Sequence, residues 1–207
     1  RQEGKQHFQV KEVTIESEAL PRGFDGYKIV QLSDIHTGSW GNDTAPMLKA
    51  VNIINRLQPD LIVFTGDLVN NLASELDAFI PVFSQLKAKH GVYSVLGNHD
   101  YSTYIEWEHP EQEAIELDSL KAKQARMGWQ LLNNRHVKLY AAKDSIALIG
   151  VENSGRPPFP DHSRLNEALE GTEGLFKILL SHDPSHWRRE VLPNTDIHLT
   201  LSGHTHD

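Results

Sequence analysis

The pattern that most constrains this chain is a short apolar run leading directly into a polar turn, repeated five times. Ile29-Val30-Gln31-Leu32 runs into Ser33-Asp34-Ile35-His36, Leu61 to Phe64 into Gly66-Asp67, and Tyr93 to Leu96 into Gly97-Asn98-His99-Asp100. Further on, Ile178 to Leu180 leads into Ser181-His182-Asp183, and Leu199 to Leu201 into Gly203-His204-Thr205-His206. Packing alone does not explain carboxylates and imidazoles gathered at run ends, because an unpartnered polar group near a core costs free energy. The gaps of 33 residues from Asp34 to Asp67 and 31 from Asp67 to Asn98 each fit one crossover. Adjacent parallel strands would then deliver all three residues to one sheet edge, where open α/β sheets place their ligands.

The intervening segments agree with that reading. Met47, Val51, Ile54 and Leu57 fall at helical spacing between Pro46 and Pro59, and Leu76, Phe79, Phe83 and Leu86 do so within 76–89. A third, highly charged helix is predicted over 111–127, with Ile115, Leu117, Leu120 and Ala125 turned inward. Strands are predicted over 8–15, 27–32, 61–65, 92–96, 129–132, 136–140, 145–151, 176–180 and 197–201, and short helices within 159–170 and around 186–191. Strand and helix alternate in the first half and strands dominate the second. The fold class is therefore α/β, with two sheets face to face and helices outside. Gly128 marks a seam within one core, since no Pro/Gly/Ser-rich linker divides the halves.

Composition narrows the chemistry. The chain has 207 residues, enough for one sizeable core, and no stretch of about 18 apolar residues that could span a bilayer. It has no cysteine, which excludes disulfides, thiolate catalysis and sulfur-ligated zinc. A formal charge of -8 and the absence of a Lys/Arg stripe leave no evident nucleic-acid surface. Five of its twelve histidines sit in the turns quoted above.

Mixed carboxylate, amide and imidazole donors suit manganese, iron or zinc better than an all-oxygen magnesium or calcium site. Asp34, His36, Asp67, Asn98, His182, His204 and His206 are too many for one tetrahedral ion, so two divalent metals roughly 3.5 Å apart are expected. Asp67 is the best bridge, being central in chain order and having two oxygens. Two such ions bring about +4 and the two aspartates return about -2, leaving roughly +2 to hold a phosphate ester. A metal-bridging hydroxide would be the nucleophile. Asn98 and His99 would bind the phosphoryl group, and His99 would donate a proton to the leaving oxygen. Asp100 has two readings: orienting His99, or hydrogen-bonding the turn.

Taken together and in this order, the five blocks resemble the calcineurin-like metallophosphoesterase superfamily. The resemblance implies a four-layer α/β/β/α sandwich with two mixed sheets. It also implies one metal on Asp34, His36, Asp67 and His206, a second on Asp67, Asn98, His182 and His204, and His99 contacting phosphate. Asp67 is followed by Leu68-Val69-Asn70-Asn71, unlike the Asp-Arg-Gly continuation of protein serine/threonine phosphatases or the metal-binding tyrosine of purple acid phosphatases. The 24–30 segment and the Gly97 to Tyr101 block are more similar to bacterial envelope-associated phosphodiesterases of the UDP-diacylglucosamine hydrolase-like branch. That branch implies a phosphate ester substrate such as a nucleotide-linked lipid, a membrane-anchoring segment ahead of Arg1, and a place at the bacterial envelope, with the cytoplasm as the alternative. Residues 1–207 are read as a single domain incomplete at its C-terminal end, because family members continue past the last His-x-His with further strands.

Two other functions stay open: a metal-binding but inactive scaffold, and a dinuclear amidohydrolase. Some residues also carry two readings. The 152–161 segment, with Asn153 and Arg156, is either a substrate-holding rim or a rigid connection. Trp107 and the Tyr101 to Pro110 stretch either cover the site mouth or pack on a helix, and His186 is equally open. His7, His90, His109, His136, His162 and His198 suggest no function.

Overall fold

The computed structural model describes residues 8–206; His7 and the chain's last residue fall outside that range. β1 (Ile29–Leu32), β2 (Leu61–Phe64), β3 (Val92–Ser94) and β4 (Trp129–Leu131) form a parallel sheet in that spatial order. β5 (Arg135–Ala141) and β6 (Asp144–Gly150) form an antiparallel pair, and β7 (Phe176–Leu180) and β8 (Leu199–Leu201) continue parallel from β6. The first sheet is thus wholly parallel and the second mixed. Between their strands lie α1 (Ala45–Arg56), α2 (Ile80–Phe83), α3 (Glu111–Arg126) and α4 (Leu165–Leu169).

Strand periodicity builds the layers. Within β2, Ile62 and Phe64 face one core with Met47, Val51, Phe79, Phe83, Leu120 and Trp129, while Leu61 and Val63 face another. The second core, with Tyr93, Val95, Leu139, Ile146, Leu148 and Ile178, lies between the two sheets. All four side chains of β2 are fully buried, as its unbroken apolar run requires. Ala147, Ile149 and Leu179, on the other face of the second sheet, pack with Leu165, Ala168 and Val191 in a third core. Helices, sheet, sheet and helices therefore stack in four layers, as expected.

Three local expectations are corrected. Residues 8–15 pair with no strand among the described residues, and Phe8, Val10, Val13 and Ile15 stay exposed. Alternation alone makes no strand where no neighbouring edge supplies hydrogen bonds. The 76–89 helix is instead a 3-10 turn, Ala73–Phe79, running into the single turn of α2. Pro81 offers no N–H and so interrupts a continuous α-helical ladder there. On α3, Ile115 is 62% exposed and Ala125 exposed, while Leu117, Leu120 and Gln124 face inward. β4 and β5 follow one another through Asn133-Asn134 but lie in different sheets, so the chain changes layer there.

Gly150 of β6 lies tightly against Leu132 and Val95. A Cβ there would collide with Leu132, lying 2.5 Å from its carbonyl oxygen and 2.9 Å from Val95 Cγ1. Backbone cannot yield as a flexible side chain does, so Gly150→Ala should cost about 1–3 kcal/mol. Urea denaturation checks this, and an unchanged midpoint would show that the sheets separate freely at that point.

Candidate metal centre

Every residue of the cluster lies beyond the C-terminal end of a strand. β1 leads to Asp34 and His36, β2 to Asp67, β3 to Asn98 and His99, β7 to His182, and β8 to His204 and His206. Asp34, His36, Asp67, His204 and His206 all have positive φ, between 48° and 74°. Left-handed backbone is costly for residues with a Cβ and concentrates at functional sites. Here it turns each donor back over the strand ends. Glycines make the close packing possible. A side chain at Gly97 would strike the Asp67 carboxylate, and one at Gly203 would strike Ser33 and Asp34.

Two groups of donor atoms result, and Asp67 belongs to both. In the first, Asp34, His36, Asp67 and His206 offer atoms within 4.8 Å of one another. His206 Nε2 lies 3.3 Å from both Asp34 Oδ1 and His36 Nε2, and His36 Nε2 is 3.6 Å from Asp67 Oδ2. In the second, Asp67, His182 and His204 meet, with His182 Nε2 3.2 Å from both Asp67 Oδ2 and Asn98 Oδ1. All seven residues expected to ligate are brought together. Their donor atoms converge on shared space, and an arrangement of this kind suits a cation.

Electrostatics favour a neutral His36 on one side and a charged His182–Asp67 pair on the other. Burial holds His36 below the ordinary histidine value, against the opposing pull of Asp67. Burial also pushes the His182 imidazolium down, but the hydrogen bond and charge of Asp67, with the Thr65 carbonyl, outweigh it and raise the group to about 9. Asp67 is itself raised by burial, yet the His182 hydrogen bond and charge and the His99 amide bring it below its usual value. Thr65 O accepts from His182 Nδ1 at 2.6 Å, which turns Nε2 toward the cluster.

Asp100 does not orient the His99 ring. Its carboxylate accepts from the backbone amides of Gly97, Asp67, Leu68 and Val69 at 2.8 to 3.2 Å, tying the turn after β3 to that after β2. Burial, then the charge of Asp67, raises Asp100 to about 7, with the Gly97 and Val69 amides opposing. The His99 ring instead places Nδ1 2.8 Å from the Asn70 carbonyl, while its backbone N–H donates to Asp67 Oδ1 at 2.9 Å.

The residues with two readings also separate. Asn153 is buried and donates to Pro160 O, shaping the 152–161 loop, while Arg156 is exposed. His186 is buried between Ser181 Oγ and Glu190, and Trp107 Nε1 donates to Ser102 O. Two aromatic neighbours escaped sequence reasoning. Tyr104 lies against His99 with ring centroids 4.8 Å apart, and Phe159 lies edge-on to His204 at 5.0 Å. Each sits in a loop already noted, but no local pattern marks either one. A cleft of about 630 Å³ between Tyr101, Glu113, Leu117, Glu152, His162 and Arg164 includes none of the clustered donors.

Removing the Asp100 carboxylate would strand four buried amide donors at once. Asp100→Ala should therefore destabilise the chain by about 3 kcal/mol or more in urea denaturation. Wild-type stability would mean that these amides find other partners.

Residues 27–207 match the family model described as calcineurin-like phosphoesterase. The chain is 35% identical over 204 residues to the uncharacterized metallophosphoesterase YkuE of Bacillus subtilis (strain 168), covering 96% of this chain and 65% of that protein. It is 33% identical over 205 residues to a Danio rerio protein named transmembrane protein with metallophosphoesterase domain, covering 95% of this chain and 44% of that protein. An uncharacterized metallophosphoesterase of Aquifex aeolicus (strain VF5) is 31% identical over 205 residues, with 96% and 70% covered. The chain thus spans less than two thirds of the first two of these relatives. It belongs to the calcineurin-like phosphoesterase family.

Proposed function

We propose that this chain is a hydrolase of phosphomonoesters or phosphodiesters that works with two divalent metal ions. The observation that carries the reading is the position of Asp67 in both donor groups, with the other donors divided on either side of it. Asp34, His36, Asp67 and His206 would hold one ion, and Asp67, Asn98, His182 and His204 the other. Bound there, the ions would lower the pKa of coordinated water toward neutrality and polarise phosphoryl oxygens.

The chain's own residues do the rest. Thr65 and Asp67 hold His182 in the orientation that presents Nε2. The Asn70 carbonyl accepts the Nδ1 proton of His99, so Nε2 is the nitrogen left to face a phosphoryl or leaving-group oxygen. An imidazolium at that nitrogen can hold the phosphoryl oxygen or protonate the leaving alkoxide. A nucleotide-linked lipid, the substrate class implied by the sequence resemblance, and a membrane setting, which the name of the Danio rerio relative brings to mind, belong to this same proposal. Among the described residues no helix is long and apolar enough to cross a membrane.

Asp67→Asn should lower hydrolysis of bis-p-nitrophenyl phosphate at least about a hundredfold and reduce bound metal below two ions per chain. A variant that keeps both rate and stoichiometry would defeat the assignment. A wild-type protein that binds metal without turning over phosphoesters would point to the inactive scaffold, and turnover of a peptide in its place to an amidohydrolase.

Metal at His182 Nε2 must displace the proton that Asp67 helps to hold there. Because the folded-state pKa lies at about 9, apparent metal affinity should rise with pH up to that value and level off above it. Calorimetry at pH 7.5 in buffers of different ionisation enthalpy should register about one proton released as the ions bind. Binding with no proton release would remove His182 from the ligand set.

A further inference from the structure

We infer that Tyr104 is a positioning residue that locks the amide of Asn98 with its oxygen toward the second metal. This rests on the metal reading above. A ligand amide has two orientations of nearly equal shape, and only one presents an oxygen; the other aims two N–H donors at a cation. The groups on the amide's two sides must choose between them and hold the choice. Asn98 Nδ2 donates to the Tyr104 hydroxyl at 2.8 Å, while Asn98 Oδ1 lies 3.2 Å from His182 Nε2. The phenol oxygen accepts that N–H and pins the plane of the carboxamide, while His182 Nε2 on the other side faces the oxygen; a flipped amide would set its N–H against that nitrogen and turn the wrong end to the cluster.

The local chain is built to deliver this hydroxyl. Ser102 adopts positive φ of 60° and reverses the backbone just after the 3-10 turn Asn98–Tyr101. Its Oγ donates to the Asn71 carbonyl at 2.6 Å, and its own carbonyl accepts from Trp107 Nε1 at 2.9 Å. Two residues beyond that anchor, Tyr104 folds back over Asn98 and also lays its ring on His99. Tyr104 is 45% exposed, so the core does not need it for packing. Its hydrogen bond and its ring contact run instead to the donor amide and to the imidazole placed to meet the phosphoryl group.

Tyr104→Phe keeps the ring and deletes the acceptor. In calorimetric titration of metal-free protein with Mn²⁺ alone, one of the two binding steps should weaken about 10- to 100-fold while the other is unchanged, the usual effect of losing a partner behind a ligand. Asn98→Asp supplies a second readout. A carboxylate presents an oxygen whichever way it turns, so Tyr104→Phe should weaken Mn²⁺ binding less in the Asn98→Asp background than in the wild-type one. A Tyr104→Phe isotherm matching wild type overturns the inference, as does equal weakening in both backgrounds, which would mean a general disturbance of the loop. If wild type takes up two ions and Tyr104→Phe does too with unchanged affinity, only this inference fails. If wild type takes up fewer than two, the dinuclear reading fails and this inference with it.

Discussion

The buried carboxylate of Asp67 is the interaction on which the site depends. Only 1% of the residue is exposed, in a place where an unpartnered anion would cost several kcal/mol. Its surroundings are arranged around that charge. The His99 amide holds Oδ1, His36 and His182 face Oδ2, and its own backbone N–H is held by Asp100. His182 comes from the second sheet and the other three from turns of the first, so the carboxylate is satisfied only if both sheets end on the same edge in the correct register. A one-residue slip in either sheet would move the donors to the opposite face.

That geometry is held against backbone strain. Five of the clustered donors have left-handed backbone, each at a cost of about 1 kcal/mol or more. The turns after β2 and β3 persist because the Asp100 carboxylate binds both, and the turns after β1 and β8 because the Asp34 carboxylate accepts the His204 amide. Gly66, Gly97 and Gly203 allow approaches that a Cβ would forbid. The scaffold beneath is the opposite in character, with β2, β6 and β7 packed between apolar layers. Stability resides in the sheets and strain in the turns, so donors can be held close without loosening the core.

The apolar strands and the donor identities were legible because each rests on local information. Leu61 to Phe64 can only be a strand buried on both faces, and a polar turn directly after it must emerge at a sheet edge. Other features were not legible, for physical reasons that differ. Residues 8–15 alternate correctly yet form no strand among the described residues, because pairing depends on a partner that lies far away in sequence. The 76–89 periodicity survives only in part because Pro81 removes an amide the helix needs. Asp100 next to His99 suggested an imidazole partner, but its carboxylate turns inward to four amides, three of them more than thirty residues away.

By itself, then, the sequence determined the α/β class, the apolar strands and which residues carry ligand chemistry, since side-chain periodicity and donor type are properties of neighbours along the chain. Tertiary structure alone decided that Asn70 rather than Asp100 holds the His99 ring and that Tyr104 meets the Asn98 amide. Those outcomes depend on where strands from two sheets end in space and on which way each left-handed turn points its side chain, and neither is encoded within any short stretch of residues.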